Sequence, residues 1–223
     1  MLYLYHKEAG ASTLTLTGDD HRYIFKVRRH KAGDTLHLRN LEEGYLYTYE
    51  VLSIDKRSVL LSLIDKEMLE VQAPRRLHIG WCVIDPKSIE KVLPSLNEMG
   101  VWKITFIYCK RSQKSFKPDF KRLEKILLNS SQQSGRSVMM HLETAESLEM
   151  FLSRYPESYM LNFSNKRIAE EAAHIDTIVI GCEGGFHEDE VAMMAKGKVV
   201  GFDTPLVLKS ESAACAVASK LLL

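Results

Sequence analysis

Two segments in the C-terminal half carry the residue types and spacing that suggest chemistry. The first, residues 177–186 (TIVIGCEGGF), is an apolar run that ends in three glycines and a glutamate. In a parallel sheet, ligands bind at the carboxyl ends of strands, and glycines there let the backbone approach a ligand. A tight strand-to-helix turn would have the same composition. No GxGxxG or GxxxxGK[ST] pattern occurs, which argues against a dinucleotide or a triphosphate.

The second segment, residues 206–223 (LVLKSESAACAVASKLLL), leads from apolar residues into a polar cluster and then a helix of small residues. Ser210 is a candidate N-cap, and the alanines would allow close packing against another element or a second subunit. An ordinary capped terminal helix is the alternative. A third segment, residues 129–136 (NSSQQSGR), could read a base edge or a phosphate, or could simply end a helix at a Gly cap.

Charge is segregated along the chain although the formal net charge is only +1. Residues 103–136 contain nine basic and two acidic residues, whereas residues 142–190 contain eleven acidic and three basic ones. This pattern indicates a face that meets a polyanion, or else two solvated helix faces of opposite sign. A shorter basic cluster lies at residues 26–31.

The four cysteines are far apart in sequence and form no CxxC pattern, so neither a zinc site nor a disulfide framework is expected. Cys82 and Cys109 lie in apolar runs and are predicted to be small core residues. The N-terminus does not resemble a signal peptide, and no apolar run reaches the ~20 residues of a membrane helix. We therefore expect a soluble cytoplasmic protein.

Two domains are predicted to position these segments. Residues 1–70 are β-rich, with alternating or β-branched runs at 13–17, 35–38, 45–53 and 58–64, which suggests a small barrel. Residues 66–76 are taken as a linker. From residue 74 to 223, strands at 77–84, 104–108, 159–162, 177–181 and 199–202 alternate with helices, including 86–99 and 119–134. That alternation predicts an α/β domain with a mainly parallel sheet.

Taken in order, these segments resemble the SPOUT class of methyltransferases, and more closely the bacterial 16S ribosomal RNA (uridine-N3) methyltransferase family, small-subunit methyltransferase E. The matching positions are Val27-Arg28-Arg29 with Gly33-Asp34, then residues 132–136, 180–186 and 208–213. Several positions depart from the family pattern. Cys182 replaces Pro; Lys209, Ser210 and Ser212 replace Arg, Thr and Thr; Asp203-Thr204 replaces Leu-Gly; and Met140 replaces Pro.

The resemblance implies a SPOUT-type α/β domain with a C-terminal trefoil knot at residues 74–223. It also implies a PUA-like, RNA-binding β-barrel at residues 1–70. The expected activity is methylation of N3 of a uridine in 16S ribosomal RNA, within the small ribosomal subunit, by S-adenosylmethionine and without a metal. A homodimer with the cofactor site near its interface is expected, and no membrane partner.

Site residues are assigned from the same resemblance and from the strand ends. The residues predicted to bind the cofactor are Leu161, Asn162, Gly181, Glu183, Gly184, Gly185, Leu206, Leu208 and Ser210. Those predicted to act on the base are Arg136, Lys209 and Glu211, each of which could instead be a structural ion pair. The residues predicted to bind RNA come instead from the two basic clusters, and they are Lys26, Arg28, Arg29, Lys31, Lys110, Arg111 and Lys114.

Two other functions remain open at this point. One is a SPOUT methyltransferase acting on another RNA, such as transfer RNA or 23S ribosomal RNA. The other is an RNA-binding protein without catalysis, which would not bind S-adenosylmethionine. A hydrolase is disfavoured because no GxSxG occurs.

Overall fold

The computed structural model describes residues 2–27, 29–113 and 115–223, except the side chains of Phe25 and Lys26. The chain forms two compact units. The first comprises residues up to Gln72 together with Ser131–Met139, and the second comprises Ala73–Ser130 and Met140–Leu223. The predicted domain limits, 1–70 and 74–223, stay a prediction.

The first unit is built on a five-stranded sheet. Its strands are β1 (Leu4–Tyr5), β2 (Thr13–Thr17), β3 (Thr35–Arg39), β4 (Tyr45–Ile54) and β5 (Ser58–Met68), and helix α1 spans Gly18–Arg22. The strand order is β1-β3-β4-β5-β2, antiparallel except for the β1–β3 pair. The alternation predicted at residues 13–17 is confirmed, because Leu14 and Leu16 are buried and the three threonines are exposed.

Strand β5 is longer than its composition predicts. Residues 66–68, which the composition predicts to be part of a polar linker, continue the strand to Met68 and pair with the start of β4. The Lys66 ammonium lies over the Tyr45 ring, 5.3 Å from its centroid. Cross-strand pairing of this kind stabilises a strand end whose residues are exposed.

The second unit is built on a six-stranded parallel sheet. Its strands are β6 (His78–Cys82), β7 (Lys103–Ile107), β8 (His141–Ala145), β9 (Tyr159–Leu161), β10 (Thr177–Ile180) and β11 (Val199–Val200), in the order β11-β9-β10-β6-β7-β8. Its helices are α2 (Pro86–Glu98), α3 (Phe120–Ser134), α4 (Leu148–Arg154), α5 (Ile168–Glu171), α6 (Glu188–Ala192) and α7 (Ser210–Leu222), except that the last four residues of α3 are grouped with the first unit. The predicted α/β fold is confirmed; the knot stays a prediction.

Local signals explain the best-predicted helix. The Asp85 carboxylate accepts a hydrogen bond from the Ser88 N–H at 3.0 Å, and Pro86 occupies the first turn. This is the cap that the Asp-Pro pair predicts. Leu93 and Leu96 of this helix are fully buried.

None of the helices in the described part of the chain is long and apolar enough to span a membrane.

Cys82 and Cys109 are buried, as predicted, but they also form a disulfide bond, which was not expected. The expectation was wrong because sequence separation hides their proximity. Cys82 ends β6 and pairs with Ile107 of the neighbouring parallel strand, so Cys109 follows immediately beyond that pair. Parallel pairing therefore brings together two residues 27 positions apart.

Candidate functional site

A cavity of about 610 Å³ opens at the carboxyl ends of β9, β10 and β11. These strands are adjacent and parallel, with Leu161 opposite both Ile180 and Val200, so their tips meet at one edge of the sheet. All of the lining residues belong to the second unit. The position is the one expected for a ligand site in a parallel sheet, and the volume suits a small organic ligand.

The tip of β10 forms a tight turn, which we call the glycine loop (Gly181–Phe186). The Gly185 N–H donates to the Cys182 carbonyl at 2.9 Å. Gly185 has a φ of +66°, in the left-handed region that favours glycine. A Cβ at Gly181 would lie 3.2 Å from the Phe186 ring. The loop therefore presents main-chain atoms, and few side-chain atoms, to the cavity.

Ser210 joins the start of α7 to the glycine loop. Its hydroxyl accepts a hydrogen bond from the Trp81 indole N–H at 2.8 Å and donates to the Gly181 carbonyl. Ser210 is buried and Trp81 is fully buried. The prediction that Ser210 caps the helix is wrong by one residue. Lys209 is the N-cap, and the Ser210 hydroxyl bonds to Gly181 across the cavity floor instead of to the helix N–H groups.

Arg167 links the walls formed after β9 and β11. Its guanidinium donates to the Phe202 carbonyl at 3.2 Å and pairs with the Asp203 carboxylate at 3.0 Å. Asp203 is one of the departures from the family pattern, so its ion pair supplies a local role for it. Arg167 also forms a parallel bridge with Gly201, which extends the pairing beyond the end of β11.

Apolar side chains surround the cavity mouth. Phe163, Leu206 and Val207 all line it and are 82%, 72% and 78% exposed. Isolated exposed apolar residues are ordinary, but a group around a concave site indicates a binding surface.

The structure brings all nine residues predicted to bind the cofactor into the lining of this one cavity. Lys209 and Glu211 flank the lining residue Ser210, with Lys209 exposed and Glu211 partly buried. Sequence reasoning missed Phe163, Arg167 and Gly201. Only Phe163 had a usable signal, because it directly follows the predicted Leu161-Asn162 strand end.

Arg136 lies in a different setting. It belongs to the first unit, is 4% exposed, and its carbonyl accepts a hydrogen bond from the Tyr3 hydroxyl at 2.8 Å. Burial lowers the pKa of its guanidinium to about 10. In the same segment the Gln132 side chain accepts the Tyr5 N–H at 2.8 Å, and Gly135, with a φ of +85°, follows α3. Here the segment ends a helix at a Gly cap, which was one of its two interpretations.

The predicted RNA-binding residues are only partly described. Arg28, Lys114 and the Lys26 side chain lie outside the described residues. Arg29 and Lys31 are exposed, and Arg29 has a φ of 57°. Lys110 forms an ion pair with Asp189. The hydrogen bond from Lys110, and after it the one from His187, lowers the pKa of the Asp189 carboxyl to about 2.

The basic stretch 103–136 is not one solvated face. Lys103 bonds to Glu143 at 2.9 Å and is mostly buried, and Arg122 pairs with Glu90. The exposed bases of this stretch include Lys117, Lys121 and Lys125.

Comparison with known proteins adds the family context. A family model described as an RNA methyltransferase domain matches residues 71–222, and one described as an RNA methyltransferase PUA domain matches residues 16–64. The ribosomal RNA small subunit methyltransferase E of Helicobacter pylori is 38% identical over 222 residues, which is 98% of each chain.

Two solved structures share the fold. A putative methyltransferase from Legionella pneumophila, determined with its cofactor S-adenosylmethionine, has a TM-score of 0.82 at 22% identity and covers 99% of this chain and 96% of its own. The ribosomal RNA small subunit methyltransferase E of Neisseria gonorrhoeae, bound to S-adenosylmethionine, has a TM-score of 0.81 at 17% identity, covering 98% and 95%.

Proposed function

Since the chain belongs to the ribosomal RNA small subunit methyltransferase E family, we propose that it transfers the methyl group of S-adenosylmethionine to N3 of a uridine in 16S ribosomal RNA. The observation that carries this proposal is the cavity at the tips of β9, β10 and β11, whose lining includes every residue assigned to the cofactor from the sequence.

The residues around the cavity fit the cofactor. Leu161, Leu206 and Leu208 would supply apolar surface for the adenine ring, and the glycine loop would supply main-chain donors and acceptors for its edge. Ser210 restrains the Gly181 carbonyl, so the start of the loop is ordered before the ligand arrives. When bound, S-adenosylmethionine supplies an electrophilic methyl group on a sulfonium, which needs no metal.

Lys209 and Glu211 act on the base. Uracil N3 becomes nucleophilic as its proton passes to water, and negative charge then develops on the neighbouring carbonyl oxygens. The exposed Lys209 ammonium, at the start of α7 beside the cavity, stabilises that charge. Glu211 orients the Lys209 ammonium. Arg136 is the other candidate, but its burial at 4% exposure favours Lys209 for direct contact with the base.

RNA binds through exposed basic side chains of the protein, including Arg29 and Lys31. These side chains contact RNA phosphates and make the affinity for RNA salt-dependent. The uridine leaves its stack to reach the cavity.

The protein acts as a homodimer whose interface lies near the cavity mouth. The exposed Phe163, Leu206 and Val207 support this arrangement, because a partner subunit would cover them. The alanines of α7 do not, since Ala213, Ala214 and Ala218 are already buried in their own chain.

The test is transfer of labelled methyl groups to small ribosomal subunits from a strain that lacks this enzyme, followed by mass mapping of the RNA. We expect one methylated uridine carrying the label at N3. Label in transfer RNA or 23S ribosomal RNA, or on a ribose, would contradict the proposed substrate.

A variant separates the roles at the site. Lys209→Gln should lower kcat by about 100-fold, as for loss of one transition-state donor, while the Kd for S-adenosylmethionine stays the same. Lys220→Gln, on the exposed last turn of the same helix, is the matched control. Equal rates for both variants would remove Lys209 from the reaction.

A further inference from the structure

The segment that follows β7, which we call the β7 loop (Cys109–Gln113), reaches the glycine loop. The Arg111 guanidinium donates to the Gly184 carbonyl at 2.6 Å. Its aliphatic stem packs on the same glycine, because a Cβ at Gly184 would lie 3.3 Å from Arg111 Cδ. Gly184 lines the cavity, so Arg111 holds one of the groups that form the candidate cofactor site.

A second set of bonds joins the same two segments. The Glu190 carboxylate is buried, at 2% exposure, and accepts the Lys110 N–H at 2.9 Å through one oxygen. Its other oxygen accepts the His187 N–H, which follows the glycine loop, at 2.8 Å. The Lys110 ammonium also pairs with Asp189. These bonds hold the backbone of the β7 loop in place, so the Arg111 side chain extends from a fixed main chain.

Arg111 completes the restraint of one peptide plane. In the peptide between Gly184 and Gly185, the carbonyl oxygen accepts from Arg111 and the N–H donates to the Cys182 carbonyl. Glycines flank this plane on both sides, and they rotate more freely than any other residue. Without Arg111, the carbonyl end of the plane loses its side-chain partner.

We propose that Arg111 is a positioning residue that fixes the Gly184–Gly185 peptide plane and so sets the affinity for S-adenosylmethionine, instead of contacting RNA phosphates. This inference rests on the proposed function. It assigns to the cofactor a residue that the charge pattern alone assigned to RNA. The guanidinium is a charged donor bound to a carbonyl, an interaction stronger than a neutral hydrogen bond.

The test compares Arg111→Gln with wild type and with Lys87→Gln, which removes an exposed positive charge from α2. Calorimetry without RNA gives the Kd for S-adenosylmethionine, and a filter-binding assay gives the Kd for 16S ribosomal RNA. For Arg111→Gln we expect the cofactor Kd to rise about tenfold, or ~1.4 kcal/mol, with RNA affinity unchanged. The KM for the cofactor should rise in parallel while the KM for RNA stays constant.

The outcomes separate this inference from the proposed function. Cofactor binding by Arg111→Gln that equals wild type would overturn the inference alone. So would a loss of RNA affinity without a change in cofactor Kd, because that result is expected of a phosphate contact. Wild-type protein that binds no S-adenosylmethionine would overturn both. Arg111 is exposed, so the variant should fold, and a thermal melt checks this.

Discussion

Replacing Ser210 by Ala tests whether one hydroxyl holds the candidate site together. The substitution removes the hydrogen bond from the Trp81 indole N–H and the bond to the Gly181 carbonyl. Trp81 is fully buried, so its N–H is left without a partner or water. An unsatisfied buried donor costs ~1–3 kcal/mol, and a lost neutral hydrogen bond ~1 kcal/mol. We expect the free energy of unfolding to fall by about 3 kcal/mol in total.

The measurement is thermal unfolding without cofactor, followed by near-ultraviolet circular dichroism, which reports on Trp81. A loss of this size should lower Tm by roughly 6–12 °C, since 1 kcal/mol shifts a chain of this length by 2–4 °C. Ser212→Ala is the control, because Ser212 is exposed on the same helix. Its effect should stay within about 0.5 kcal/mol, as for most surface changes.

A double variant checks the physical reason. Trp81→Phe removes the donor that Ser210→Ala would leave unsatisfied. The combined loss should therefore be smaller than the sum of the two single losses, by about 1 kcal/mol or more. Strictly additive losses, or a loss below about 0.5 kcal/mol for Ser210→Ala alone, would refute the role given to this hydroxyl.

Three other substitutions or conditions have expected outcomes, the last of them drawn from the basic cluster in the sequence. Gly201→Ala should destabilise the second unit in a urea titration, because a Cβ there would lie 2.8 Å from the Ser164 carbonyl oxygen. Burial lowers the pKa of His78 from 6.5 to about 4, so the unfolded chain takes up this proton first as pH falls. Wild type should lose up to ~3 kcal/mol between pH 6.5 and 4, and His78→Asn less, as urea titrations at each pH would show. Changing Arg28 and Arg29 together to Glu should weaken RNA binding and leave the Kd for S-adenosylmethionine unchanged; calorimetry showing equal losses of both would contradict that division.

The fold could be predicted where a local pattern sets the structure. Strict alternation marks β2, and the Asp85-Pro86 pair marks the start of α2. The sequence does not predict strand β8, because β8 has only one buried residue, Ala145, and gains its strand geometry from pairing with β7. Pairing partners distant in sequence leave no mark in a short window of residues.

The same distinction holds for the site. The glycine loop has a local signature, namely an apolar run that ends in glycines, whereas the lining residues after β9 and before α7 are assigned from the strand ends and the family resemblance. The partner of a charged side chain leaves no such signature in the neighbouring sequence. Arg136 lies 133 residues from Tyr3, and Arg111 lies 73 residues from Gly184. Counting charges therefore located basic residues without showing which ones already had partners within the fold.

Four of the departures from the family pattern, at Cys182, Lys209, Ser210 and Asp203, can be related to contacts or to chemistry that is kept. Cys182 contributes its carbonyl to the turn with Gly185, which any residue can do. Ser210 retains the hydroxyl that bonds Gly181, and Lys209 retains a positive charge. Asp203 pairs with Arg167 at the far wall. Cys182 and Ser210 thus keep the main-chain and hydroxyl contacts of the glycine loop, whereas the Asp203 carboxylate adds an ion pair of its own.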